Sequence, residues 1–140
     1  MKMHALDVRV RYADTDKMGM MYYANHFAYF EAGRIEYLRA LGVVYRDLEE
    51  RGIFFPVAEA SCRYMAPARY DDELQVLTWV ERLRPTRIDF GNLVIRKADG
   101  AHLARGHVLL ACLDKDGKPM RMPKEVVDRV EVWEGPPESA

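Results

Sequence analysis

The hydrophobic positions change period several times along the chain, and each change marks an element. Residues 6–12 alternate strictly, with Leu6, Val8, Val10 and Tyr12 on one side and Asp7, Arg9 and Arg11 on the other. This is the pattern of a half-buried strand. Residues 13–23 have neither a two-residue nor a helical period, and Gly19 marks a turn within them. From Ala24 to Leu41 the period is helical: Phe27, Phe30, Arg34, Tyr37 and Leu41 share one stripe, which Ala28, Ile35 and Leu38 widen. So broad an apolar face predicts a helix wrapped by other elements rather than one lying on a surface. Gly42 supplies its stop. Gly33 costs about 1 kcal/mol against alanine in mid-helix, so its presence predicts a close approach by another element.

A second short helix is expected over residues 45–51, followed by strand-like runs at 54–65, 73–82, 87–96 and 101–113. Turn residues separate these runs: Pro67 to Asp72, then Arg84, Pro85 and Thr86, then Ala98, Asp99 and Gly100. The Asp-Gly pair predicts a type I′ hairpin. Asp116 and Gly117 turn the chain again before a short piece near residues 120–132. One strand, one long helix and four antiparallel strands make an α+β arrangement, with a five-stranded antiparallel sheet curling round a central helix. A single domain is expected over residues 1–133. Residues 134–140 read as a loose tail, because two prolines and a glycine continue no element.

Composition narrows the function. The 21 basic residues against 22 acidic ones leave a formal net charge of −1, whereas a nucleic-acid-binding domain would carry a basic surplus. Cys62 and Cys112 lie far apart in apolar runs, with no Cys-x-x-Cys and no His-x-x-x-His. They read as small core residues rather than as a disulfide or a metal site. No apolar run approaches the roughly 18–20 residues of a membrane span, and the first residues hold no signal-peptide core, so a cytoplasmic location is expected. A chain of this size buries only about two-thirds of its unfolded surface, and self-association would help it.

The aperiodic segment carries the candidate chemistry. Asp14 and Asp16 flank Thr15 just ahead of the long helix, whose free N–H groups and dipole, worth about +0.5 charge, point back towards them. A carboxylate beside unpaired N–H donors suits acyl chemistry: the amides polarise a carbonyl oxygen while the carboxylate attacks or activates water. Taken alone, the same residues are also those of a helix cap or a solvated loop. Met18, Met20, Met21, Tyr22 and Tyr23 supply an apolar wall. Glu31, eight residues after Tyr23, is a second candidate acid, and equally an i,i+3 partner for Arg34. Arg82, Arg84, Thr86 and Arg87 cluster at one strand turn, where arginine's planar fork suits phosphate. Lys118 and Arg121 form a second cluster. His4, His26, His102 and His107 have no ligand spacing, and Ser61 lacks a Gly-x-Ser-x-Gly context.

The run Arg11-Tyr-Ala-Asp-Thr-Asp-Lys-Met-Gly-Met-Met-Tyr-Tyr-Ala-Asn25, followed by the helix, resembles the 4-hydroxybenzoyl-CoA thioesterase family of hot-dog-fold proteins. Its signature is an aromatic residue, Asp-x-Asp-x-x-Gly, and an aromatic pair opening the central helix. Tyr64-Met-Ala-Pro-Ala-Arg-Tyr-Asp-Asp-Glu-Leu74, Arg84-Pro-Thr-Arg-Ile88 and Arg121-Met-Pro-Lys-Glu125 resemble later segments, so the likeness covers about residues 8–126. The resemblance implies a hot-dog fold and a homodimer or homotetramer with active sites between subunits. It implies hydrolysis of an acyl-CoA, aromatic or short-to-medium aliphatic, without metal or cofactor, coenzyme A being part of the substrate. By position, Asp16 matches the nucleophile or general base, and the backbone N–H of Tyr23 the group that polarises the thioester carbonyl. Gly19 would allow the turn between them. Tyr22 and Glu31 would line the substrate site, and Arg84, Thr86 and Arg87 would hold the coenzyme A phosphates. A bacterial subgroup has His where this chain has Tyr23, which puts any imidazole there in doubt but leaves a backbone donor in place. The alternatives are a non-catalytic acyl-CoA binding module and a hot-dog dehydratase, which would pair a His with a helical acid.

Overall fold

The computed structural model describes residues 1–138. Strand β1 (His4–Arg9) leads through a 3-10 turn at Tyr12–Asp14 and the aperiodic loop into α1 (Asn25–Ala40). Then come α2 (Tyr45–Glu50), β2 (Val57–Tyr64), β3 (Glu73–Arg84), β4 (Arg87–Arg96), β5 (His102–Ala111) and α3 (Lys124–Arg129). The strands form one sheet in the order β1-β3-β4-β5-β2, and every neighbouring pair is antiparallel. This is the expected α+β hot-dog arrangement.

Helix α1 lies across one face of the sheet. Phe30, Tyr37 and Leu38 pack with Leu74, Val76, Val80, Phe90, Val94 and Val108, alternate residues of β3, β4 and β5. The intervening residues form a smaller cluster on the opposite face, Leu77, Trp79 and Leu93. The close approach expected at Gly33 is present: a Cβ there would collide with the Thr78 hydroxyl and press on Val76. Thr78 is held in turn by buried Asn92, whose Nδ2 donates to Thr78 Oγ1 (2.8 Å) and to the Leu77 carbonyl (3.1 Å). Gly42 ends the helix with φ +84°. Val43 N–H donates to Leu38 O and Gly42 N–H to Arg39 O, which satisfies the last carbonyls, and buried Val43 and Leu38 complete the cap.

Five details differ from the sequence expectation. The sheet covers only one side of α1, leaving Ala28 and Glu31 exposed. The Asp99-Gly100 connection is not type I′: among residues 97–100 only Gly100 has positive φ (71°), and the hairpin closes from Arg96 to Ala101 over a longer loop. Tyr12 is exposed, because the 3-10 turn breaks the strand alternation after β1. Cys62 is only partly buried, since β2 is an edge strand, whereas Cys112 is buried. Of the tail, Gly135 is buried against the Trp79 indole; Ser139 and Ala140 lie outside the described residues.

Because no side chain fits between α1 and β3 at Gly33, Gly33→Val is expected to destabilise the protein by about 1–3 kcal/mol through overpacking. Urea unfolding checks this, and an unchanged midpoint would mean that the helix can lift without cost.

Candidate active site

The loop between β1 and α1 is organised by Asp14, not Asp16. The Asp14 carboxylate is buried and accepts from Arg11 N (3.1 Å), Arg11 Nε (3.2 Å), an Arg11 terminal guanidinium nitrogen (3.0 Å) and the Tyr29 hydroxyl (2.9 Å). Hydrogen bonds from Arg11 hold this carboxyl below the usual carboxylate range. Burial, aided by the bond to Asp14, pushes the Tyr29 hydroxyl well up. The Asp14 carbonyl accepts from Tyr22 N–H and from Asn25 Nδ2, both at 2.8 Å. Asn25 and Tyr29 belong to α1, so one residue fixes the loop to the start of the helix.

With that anchor set, Asp16 sits at the exposed tip. Its N–H donates to Met20 O (2.8 Å), and Gly19 N–H donates back to Asp16 O (3.1 Å). Gly19 adopts φ +76°, which glycine takes without strain. One Asp16 oxygen, Oδ1, accepts from Met18 N–H (2.8 Å) and Met20 N–H (3.3 Å), orienting the carboxylate. Its other oxygen has no partner among the described residues. Met21 N–H donates to Ala68 O (2.7 Å), stitching the loop to the segment after β2.

Tyr23 precedes α1, and among the described residues nothing accepts a hydrogen bond from its N–H. Its carbonyl accepts from the Tyr64 hydroxyl at the end of β2 (2.9 Å), which fixes the orientation of the Tyr23 carbonyl group. Beside it lies a cavity of about 340 Å³, lined by Met20, Met21, Tyr23, His26, Tyr64, Met65, Ala66, Pro67 and Ala68. Burial pushes the His26 imidazole down to about 4, so the ring is neutral at physiological pH. Burial also pushes the Tyr64 hydroxyl up to about 12.

The chain thus brings Asp16, Gly19 and Tyr23 into one loop-and-helix start, with exposed Tyr22 ring-to-ring with Tyr23 (4.8 Å). It does not bring the other candidates there. Glu31 lines a separate cavity with Phe27, Ala28 and Arg34. Arg84, paired with Asp89 (2.9 Å), shares a cavity with Arg121 at the β3–β4 turn, joining two clusters that are far apart in sequence. Thr86 is half-buried at that turn and Arg87 exposed. The aperiodic loop meets the segment leading into β3 through Met21 N–H to Ala68 O, and Val10 N–H, just after β1, reaches Asp72 O just before the start of β3. The 12 residues of β3, at about 3.3 Å each, separate that end from the arginine turn by roughly 40 Å. Sequence reasoning passed over Tyr64 and Ala66–Pro67–Ala68 as site residues. The available signal was alternation, which puts Tyr64 on the helix-facing side with Ala60 and Cys62.

A five-stranded antiparallel sheet laid against one long helix, with an aspartate loop opening that helix, defines a hot-dog thioesterase architecture. Residues 10–130 match the family model described as the thioesterase-like superfamily. The chain is 35% identical over 121 residues to the acyl-CoA thioester hydrolase YbgC of Escherichia coli, covering 86% of this chain and 90% of that one. Among solved structures, a DHNA-CoA thioesterase from Staphylococcus aureus aligns with TM-score 0.85 and 32% identity, covering 91% and 86% of the two chains. A 4-hydroxybenzoyl-CoA thioesterase aligns with TM-score 0.85 over 94% of this chain and all of its own, at 20% identity, a likeness of fold alone. The chain belongs to the thioesterase-like superfamily, and it is an enzyme of the thioester-hydrolase class. No helix among the described residues is long and apolar enough to cross a membrane.

The two buried titratable groups of the site give acid sensitivity in different windows. An unfolded histidine takes up its proton near 6.5, whereas His26 resists until about 4. Between those values the unfolded state binds more protons, so stability falls as pH falls. At 1.36 kcal/mol per unit the loss is about 3 kcal/mol. Asp14, whose carboxyl is depressed, stabilises the fold above its unfolded value near 3.9, and that contribution is lost at lower pH. His26→Phe is therefore expected to flatten the pH 6.5–4 limb of the urea-unfolding profile, and Asp14→Asn to leave that limb and lessen the loss of stability below it.

Proposed function

We propose that the protein hydrolyses an acyl-CoA to the free acid and coenzyme A, in the 4-hydroxybenzoyl-CoA thioesterase branch of its superfamily. The observation that carries this reading is the unpaired Tyr23 N–H. It opens α1 beside an apolar cavity, on the loop where Asp16 presents an unpartnered carboxylate oxygen. The thioester carbonyl oxygen accepts from Tyr23 N–H and from the dipole of α1, which stabilises the charge that develops there. Asp16 then acts in one of two ways. As nucleophile it adds to the carbonyl carbon, expels the coenzyme A thiolate and leaves a mixed anhydride that water opens. As general base it takes the proton of a water that attacks directly. Either route consumes one water and requires no cofactor.

The cavity has room for an aromatic or a short-to-medium aliphatic acyl group, and its methionines adapt to either. The placing of the Asp16 loop and the Arg84–Arg87 turn towards opposite ends of the 12-residue β3 argues for a second copy of the chain. Seven of the eight β2 residues are exposed and one edge of the strand is unpaired, a ready template for another strand. Pairing β2 antiparallel with its copy, about a dyad perpendicular to the sheet, reverses the second copy's strands. Its Arg84, Thr86 and Arg87 then come to the Asp16 end, available for the coenzyme A phosphates. A dehydratase would need a histidine facing a helical acid, and His26 and Glu31 line different cavities. Our reading keeps the cytoplasmic location expected from the sequence.

Thiol release from acetyl-, octanoyl-, palmitoyl-, benzoyl-, 4-hydroxybenzoyl- and phenylacetyl-CoA tests the proposal. Asp16→Asn is expected to lower kcat by about 10²–10⁴-fold while acyl-CoA binding persists. A folded wild-type protein that binds acyl-CoA and releases no thiol would make it a binding module instead.

A further inference from the structure

Arg34 is the one charged residue of α1 that lies inside the structure, 6% exposed. Its Nε is buried without a hydrogen-bond partner, and no carboxylate among the described residues comes within ion-pairing distance of its guanidinium. The Tyr45 hydroxyl lies beside the guanidinium and can accept from it, but burial pushes that hydroxyl up to about 12, so it stays uncharged and supplies no counter-charge. A guanidinium largely shielded from water, with no counter-charge in its own chain, favours a carboxylate supplied from outside that chain.

The surroundings point to which acceptor. A cavity of about 250 Å³ lies over Arg34, walled by Ala28, Glu31, Val57 and Ala60 among others. Glu31 is exposed and, despite its i,i+3 spacing from Arg34, makes no ion pair with it. Ala60 lies at the centre of β2, the exposed edge strand. A dyad that pairs the whole of β2 with its own copy passes between the two strands at their midpoint, and therefore beside this cavity. The rotation keeps both α1 helices on the same face of the joined sheet and makes them antiparallel. In such an isologous contact each patch meets itself. The patch here carries one unpaired carboxylate and one unpaired guanidinium a single turn apart.

We infer that Glu31 of each copy forms an ion pair with Arg34 of the other, so that the cavity over α1 is closed by a second copy of the chain through two symmetry-related charge pairs. This rests on the two-fold β2 assembly proposed above, not on the thioester chemistry, and it gives Glu31 an interface role rather than a substrate-binding one.

Sedimentation of the full-length protein across a concentration series separates the two. Wild type is expected to be dimeric. Glu31→Gln and Glu31→Arg, at an exposed position that a single chain does not need, are expected to weaken the dimer by about tenfold or more. Arg34→Glu is expected to do the same, and the charge-swapped double variant Glu31→Arg with Arg34→Glu to recover most of the loss. Should Arg34→Glu fail to fold, the two Glu31 variants decide the matter alone. A dimer unmoved by both Glu31 variants overturns the pairing while leaving the β2 assembly standing. A wild-type monomer at every concentration overturns both, whatever the thioesterase assay reads. A third outcome would assign Arg34 to a small carboxylate and likewise overturn the inference: acetate raises the melting temperature of wild type but not of Arg34→Met, with association unchanged in Arg34→Met.

Discussion

The candidate site depends on one buried carboxylate that ties its loop to the long helix. Asp14 draws in the Arg11 guanidinium, the Tyr29 hydroxyl and, through its carbonyl, Tyr22 and Asn25. Those partners span the end of the first strand, the loop and the first two turns of the long helix. With them tied, the chain has little freedom left between Thr15 and Tyr22, and the residue two positions on is presented at the tip. The two aspartates of the motif thus divide the work by environment. Asp14 is buried, saturated with donors and held ionised. Asp16 is exposed and keeps one oxygen free. A buried carboxylate held by four hydrogen bonds is badly placed to attack or deprotonate a substrate, and the second is therefore the one to which our proposal gives the chemistry.

Much of this was legible in the sequence because it is local. The turn at Gly19, the stop at Gly42 and the contact at Gly33 each follow from what glycine alone permits, and the structure has all three. The order of strands and helices followed from periodicity, and the Asp-x-Asp-x-x-Gly motif drew attention to the right loop. What was not legible depends on partners distant in the chain. Periodicity assigned Tyr12 to a buried side, but the need to bring Asp14 back to Arg11 curls the chain into a 3-10 turn and turns Tyr12 outward. Dipeptide preference suggested a two-residue turn at Asp99-Gly100, but the actual closure runs from Arg96 to Ala101. Tyr64 reaches Tyr23 across 41 residues, a contact that alternation could suggest only as a face.

The arginine turn was legible as a cluster but not as a location. Sequence proximity grouped Arg84, Thr86 and Arg87, and folding joined Arg121 to them. It also set them at the far end of the longest strand from Asp16. On the proposed mechanism a single chain therefore holds its carbonyl-polarising group and its cationic cluster at opposite ends of one strand, badly placed to serve one substrate together. The two-fold assembly proposed above would resolve this at no cost in sequence, because reversing the sheet's direction brings the cationic end of one copy to the Asp16 end of the other.

Arg34 shows why a stripe of helix positions is an incomplete guide. It falls on the same face as Phe30 and Tyr37, and periodicity counts it with the core. The period says only that a position faces away from water, not what covers it. For Phe30 and Tyr37 the cover is this chain's own sheet. For Arg34 the chain buries the Nε without a partner and supplies no counter-charge, and the neighbouring positions Ala28 and Glu31 remain open. An apolar side chain in that place would be content with the monomer's packing. A guanidinium is not, because its burial is tolerable only with a counter-charge. The inferred pairing with a second copy would supply the counter-charge this position lacks, and the exposed strand beside it is the surface through which that copy would arrive.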